Sequence, residues 1–147
     1  MRVFRRMPQW ARRSIVHLVT PSYTVGAVAV MRRADGRLAF VQQRHSPGWA
    51  LPGGLMERGE MPADCLVREL NEELGILLDA ATLPVPHAAV NSAVRRVDVV
   101  YFLDAPPGVK LVSEDDVEVT RTGWFALHKL PELSEPTVEI LRGVRVL

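Results

Sequence analysis

Between Pro62 and Gly75 lies the run PADCLVRELNEEL, in which leucines recur at helical spacing and Glu69, Glu72 and Glu73 crowd together. Proline suits a first helical turn and glycine a C-cap, so the spacing predicts a helix that starts near residues 61–62 and stops at Gly75. At about 100° per residue, with Glu69 at zero, Glu72 falls near about −60° and Glu73 near about +40°, one narrow stripe of carboxylates. Leu66, Val67, Leu70 and Leu74 occupy roughly +60° to +160° on the same wheel. One face therefore belongs in a core, and the face beside it concentrates negative charge. Arg68 points elsewhere, near about −100°, where it can brace a carboxylate or a loop carbonyl. Like charges at this spacing cost a few tenths of a kcal/mol per pair. Glu60 adds a further charge upstream and no lysine stands nearby, so something outside the chain is expected to compensate.

The rest of the chain reads mostly as strands. YTVGAVAVM, residues 23–31, is rich in β-branched and small apolar residues, Ala34-Asp35-Gly36 supplies a turn, and residues 38–43 form the returning strand of a hairpin. Pro47, Gly48, Pro52, Gly53 and Gly54 mark residues 45–54 as a loop. Further strands are expected at residues 85–90, 96–103 and 121–125, and a last helix from residue 134 or 135 to 142 with Pro136 in its first turn. Strands interleaved with a few helices predict an α/β (α+β) sandwich around one mostly β core.

Upstream, Pro8 opens and Thr20-Pro21 closes another helical stretch with Ala11, Ile15 and Leu18 on one side and Arg12 and Arg13 opposite. The expected organisation is an N-terminal helical extension over residues 1–20 and a single domain over residues 21–147. That helix either docks on its own domain or on a twin subunit, making a homodimer, or lies on a membrane surface. No run is long enough to span a membrane, and Arg12, Arg13 and His17 interrupt any secretory signal, so a cytoplasmic protein is expected. The net charge of +1 gives no global field for a nucleic-acid partner. The lone Cys65 excludes an intramolecular disulfide.

Hard divalent cations prefer oxygen ligands and share coordination with substrate phosphates, so carboxylates at i, i+3 and i+4 make a platform for Mg²⁺. The competing reading is a solvated acidic face. The preceding Leu51-Pro52-Gly53-Gly54 lets the backbone approach a ligand closely, so that a carbonyl there could join the metal, or it is a plain tight turn.

Gly54, then Glu60, then Arg68-Glu69-Leu70-Asn71-Glu72-Glu73-Leu74-Gly75-Ile76 resembles a complete Nudix box, with every specified position filled. A chance match in a chain this size falls below about one in a million. The resemblance implies a Nudix-type α/β/α sandwich around a mixed β-sheet and hydrolysis of a nucleoside diphosphate linked to another group, X, by water attack on phosphorus. It implies a metal on Glu69, Glu72 and Glu73, with the Gly53 carbonyl as an extra ligand, and Mg²⁺ as cofactor with Mn²⁺ as the alternative. Glu60 and Arg68 would orient the loop and helix, and Glu69 is the preferred general base. In some relatives a downstream loop adds a carboxylate; here Glu114, Asp115, Asp116 and Glu118 are available, with Glu118 preferred. Gly54, Arg44 and Trp49 are the expected substrate contacts, with Arg32 or Arg95 as weaker phosphate contacts and Trp49 either stacking on a base or plugging the core.

The small-molecule substrate implied is a nucleoside triphosphate, an oxidised one included, or else ADP-ribose or a nucleotide sugar. ADP-ribose-selective relatives often carry a proline some fifteen residues past the box, where this chain has Asn91 and Ser92. A non-catalytic nucleotide-sensing module and an isoprenoid diphosphate isomerase complete the alternatives. The isomerase would need a catalytic cysteine elsewhere than the box helix.

Overall fold

The central strand is β1, Thr24–Arg32, whose TVGAVAVMR sequence is buried on both sides along most of its length. Strands covered on both faces read as unbroken apolar runs, which is what this segment is. The computed structural model describes residue 8, residues 20–112 and residues 118–147. The expected N-terminal helix falls outside the described residues but for Pro8 and Thr20, and so do Glu114, Asp115 and Asp116.

After β1 come β2 (Leu38–Gln43), β3 (Gly53–Leu55), helix α1 (Pro62–Leu74), β4 (His87–Asn91), β5 (Arg96–Asp104), β6 (Val119–Phe125) and helix α2 (Glu135–Gly143). The sheet runs β4-β5-β1-β2-β6, with β3 lying against β1. β1 is parallel to β5 along its whole length and antiparallel to β2 and β3, so the sheet is mixed. Among the described residues no helix is long and apolar enough to cross a membrane.

Alternation along β1 sends Ala27, Ala29 and Met31 to one face, where they meet Leu66, Leu70 and Leu74 of α1. Val28 and Val30 face the other way, into a second core with Ile140 and Leu141 of α2. One helix on each face makes this the α/β/α sandwich expected. The three α1 leucines are fully buried, each contributing about 1.5–3 kcal/mol relative to exposure.

Two expectations change. The loop expected over residues 45–54 gives way to strand at Gly53, because β3 pairs Gly26↔Leu55, Ala27↔Gly54 and Val28↔Gly53 with β1. A Gly-Gly-Leu segment has no strand propensity of its own, and the pairing is imposed by the edge of β1 that β2 leaves open. The strand expected at residues 85–90 starts two residues later and ends one later, where it matches β5 through Val90↔Val97 and His87↔Val100.

Candidate active site

The helix α1 ends where its chemistry requires. Gly75 adopts φ 65°, ψ 26° and donates to the Asn71 carbonyl at 2.9 Å, and Ile76 N–H donates to the Leu70 carbonyl at 3.1 Å. This left-handed cap fixes the last turn, and therefore Glu72 and Glu73, against the sheet. Before the helix, the Glu57 N–H donates to Glu60 Oε2 at 2.8 Å and closes the loop.

Arg68 joins loop, strand and helix. It forks onto Glu60 at 3.0 and 3.2 Å, reaches Glu69 Oε1 at 2.8 Å and Glu72 Oε2 at 3.4 Å, and touches the Leu55 carbonyl at 3.4 Å. The compensation expected from outside the chain comes in part from within it. The long arginine folds back over the acidic stripe and balances part of it. Its hydrogen bonds hold the Glu60 carboxyl down at about 2, with the Glu57 N–H acting in the same sense.

Glu73, on the same stripe, is turned into the sheet edge. It is 6% exposed, accepts the Gly53 N–H at 2.7 Å and the Gln43 amide at 3.3 Å. Burial pushes its carboxyl up to about 8. Glu69 is also raised by burial, against the pull of Arg68. Glu72 stays half in solvent. Three carboxylates on one wheel stripe thus occupy three environments, because the sheet edge takes one of them and the arginine holds Glu69 closely and the exposed Glu72 only at longer range. Among the described residues no group of three His, Cys, Asp or Glu side chains converges as a ready-made metal cage.

Glu69 and Glu72 line a cavity of about 620 Å³ together with Arg68, Gly53, Gly54 and Glu118. Gly54 is required by this closeness, since a Cβ there would collide with the Glu69 carboxylate. Gly53, at φ 132°, packs on β1 so tightly that a Cβ would strike the Ala27 carbonyl and Val28 Cα.

The other expected residues are scattered. Arg44 shares a backbone hydrogen bond with Glu118 at 2.8 Å, but its side chain is absent from the cavity wall. Trp49 plugs the core on the α2 face rather than offering a stacking surface: it is 8% exposed, with its ring 4.8 Å from Phe125. Arg32 pairs with Asp104 at 3.1 Å, and Arg95 occupies an exposed turn at φ 52°. Cys65 is fully buried, its thiol pushed up to about 11 by burial. The cavity also takes in Gln43, Leu55, Ser134, Thr137 and Arg96, none of which stood out in the sequence. A signal existed only for Arg96, through Asp98 two residues on, an acid at a strand position that ought to be apolar.

The chain belongs to the Nudix family as a pyrophosphohydrolase, the NUDIX domain model matching residues 22–144. A solved MutT NUDIX hydrolase from Burkholderia pseudomallei is 32% identical with TM-score 0.68, covering 84% of this chain and 99% of that one. The ADP-ribose pyrophosphatase of Methanocaldococcus jannaschii is 28% identical over 82% of this chain and 73% of its own. The 8-oxo-dGDP phosphatase NUDT18 of Mus musculus is 35% identical over 74% of this chain but only 33% of its own length.

Proposed function

We propose that the chain hydrolyses the diphosphate linkage of a nucleoside diphosphate-X compound by water attack on phosphorus, with a nucleoside triphosphate, oxidised forms included, as the substrate. The observation that carries this reading is the cavity in which Glu69, Glu72 and Glu118 meet the backbone of Gly53 and Gly54. Its donor set is all oxygen, as a hard divalent cation requires. Glu69 is partly buried with its carboxyl raised, so a cation would relieve a charge that the fold compensates only in part. Glu69, Glu72 and Glu73 would hold Mg²⁺, or Mn²⁺, with the Gly53 carbonyl beside them. Bound there, the metal would offset phosphate charge and lower the pKa of a water.

The chain's own groups do the rest. Glu69, its carboxyl raised by burial, is the group that takes the proton of the attacking water. Arg68 holds Glu69 and the Glu60 loop in one geometry. Glu73 anchors β3 through the Gly53 amide and would have to be ionised to hold a cation. The cytoplasm is the compartment this reading fits, and the extension over residues 1–20 is assigned no part in it.

Purified protein with Mg²⁺ is expected to release phosphate or pyrophosphate from nucleoside triphosphates, and Glu72→Gln to abolish it. No release from a broad nucleotide panel would defeat the proposal. ADP-ribose is the second reading, favoured by the likeness to the Methanocaldococcus jannaschii enzyme, and product analysis on the same panel separates the two.

A further inference from the structure

Asp98 sits on β5 at a position whose neighbours along the strand face, such as Val100, belong to the α2 core, yet it is 3% exposed and charged. Arg96, two residues away and so on the same face, holds it through Nε at 2.9 Å to both oxygens and Nη2 at 2.7 Å. Opposite, in register, stands Gly26, where a Cβ would meet Asp98 Oδ1 at 2.7 Å and Arg96 Nη2 at 3.1 Å. Three positions are thus given over to one ion pair. A buried ion pair contributes little or nothing to stability compared with apolar residues of the same volume. Its presence in a core layer calls for another reason.

The reason lies in where the arginine ends. A second cavity, again about 620 Å³, opens on the α2 face between the β4–β5 turn and α2. It shares Leu55, Arg96, Pro136 and Ile140 with the acidic cavity. Arg96 is the one charged residue on that common wall. With Nε and Nη2 committed to Asp98, Nη1 has no partner among the described residues and remains to donate.

We propose that Arg96, held by Asp98 and given room by Gly26, is a specificity-determining residue that binds an oxygen acceptor on the non-diphosphate half of the substrate, which enters the second cavity. Asp98 is the positioning residue behind it. This rests on the hydrolase reading above. The acceptor is a base carbonyl or an oxygen of the sugar and its adjoining phosphate.

The experiment measures kcat and KM with Mg²⁺ for dGTP, dTTP, dATP, dCTP and base-free phosphoribosyl diphosphate, in wild type, Arg96→Gln, Asp98→Asn and the double variant Arg96→Met/Asp98→Leu. Arg96→Gln is expected to raise KM about 10- to 100-fold with kcat nearly unchanged, the loss of one charge-assisted hydrogen bond. Asp98→Asn raises KM less. The double variant keeps or raises Tm while showing the full KM effect, so unfolding does not explain it. An effect seen with carbonyl-bearing bases (dGTP, dTTP or dCTP) but absent with dATP and phosphoribosyl diphosphate identifies a base carbonyl; an equal effect that includes phosphoribosyl diphosphate identifies the sugar–phosphate oxygen. A double variant with wild-type KM throughout, or one whose kcat alone falls, overturns the proposal. If the wild type binds these compounds by calorimetry without cutting them, the hydrolase reading fails and the same ratios of Kd judge Arg96. If it neither binds nor cuts, both fall.

Discussion

Gly53 N–H donates to Glu73 Oε2 at 2.7 Å, so the edge strand β3 and the helix α1 are joined by a carboxylate at the point where the acidic cavity begins. That contact sets the behaviour of the protein with pH. Burial raises the Glu73 carboxyl to about 8, whereas an unfolded glutamate titrates near about 4.3. The folded chain therefore keeps a proton that the unfolded chain has released. Stability from that proton is complete below about 4.3 and is lost as pH rises through about 8. Calorimetry in chelator should show Tm falling across this window and a flatter profile for Glu73→Gln; a flat wild-type profile contradicts the assignment.

Glu72 separates activity from stability. Its side chain is 49% exposed and meets Arg68 only at 3.4 Å. Glu72→Gln should change unfolding free energy by less than about 0.5 kcal/mol. Its kcat/KM should fall at least about 100-fold if the carboxylate holds the metal. Paired denaturation and kinetic measurements decide.

Gly54→Ala and Gly53→Ala should fail in different ways. At Gly54 the obstructed group is the end of the Glu69 side chain, which can swing aside. The variant should fold normally and lose at least about tenfold in kcat, because a displaced base is a poor one. At Gly53 the obstruction is backbone, and the substitution should cost about 2–4 kcal/mol in stability. Urea titrations and rates on both proteins test the contrast.

Arg68→Lys retains charge and loses the fork. Lysine offers no planar pair of donors for Glu60, so the Glu60 carboxyl should rise from about 2 toward the ordinary range. Carbon-detected NMR reads that titration directly. An unmoved Glu60 would mean that the Glu57 N–H alone holds it down.

Local signals carried most of the fold. Pro62 and Gly75 bracket α1 because each satisfies a helix end, and the β-branched and small apolar run of β1 reads as a strand, although its cover on both faces is seen only in the structure. β3 was illegible, since its residues become strand only through a register supplied by β1. The acidic stripe was legible as residues but not as environments: a wheel places Glu69, Glu72 and Glu73 side by side, and only the sheet edge shows that one of them is taken away by a backbone amide. A wheel shows that Arg68 can brace a carboxylate or a loop carbonyl but not which ones, because it fixes where a Cβ points and not where a long flexible side chain finishes. Arg95 and Arg96 look alike in the sequence, and only the boundary between the exposed β4–β5 turn, which holds Arg95, and β5, which starts at Arg96, decides which of them lines the cavity.

Every residue of β1 is matched with β5, a strand that begins only after α1 and β4 have been made. Such distant pairing is slow to close and comes late in folding. On the ribosome, the Nudix box therefore leaves the exit tunnel before the floor it stands on exists. A chain interrupted short of Asp104 should retain no weakened version of the enzyme, because the machinery is assembled in a single stroke or not at all.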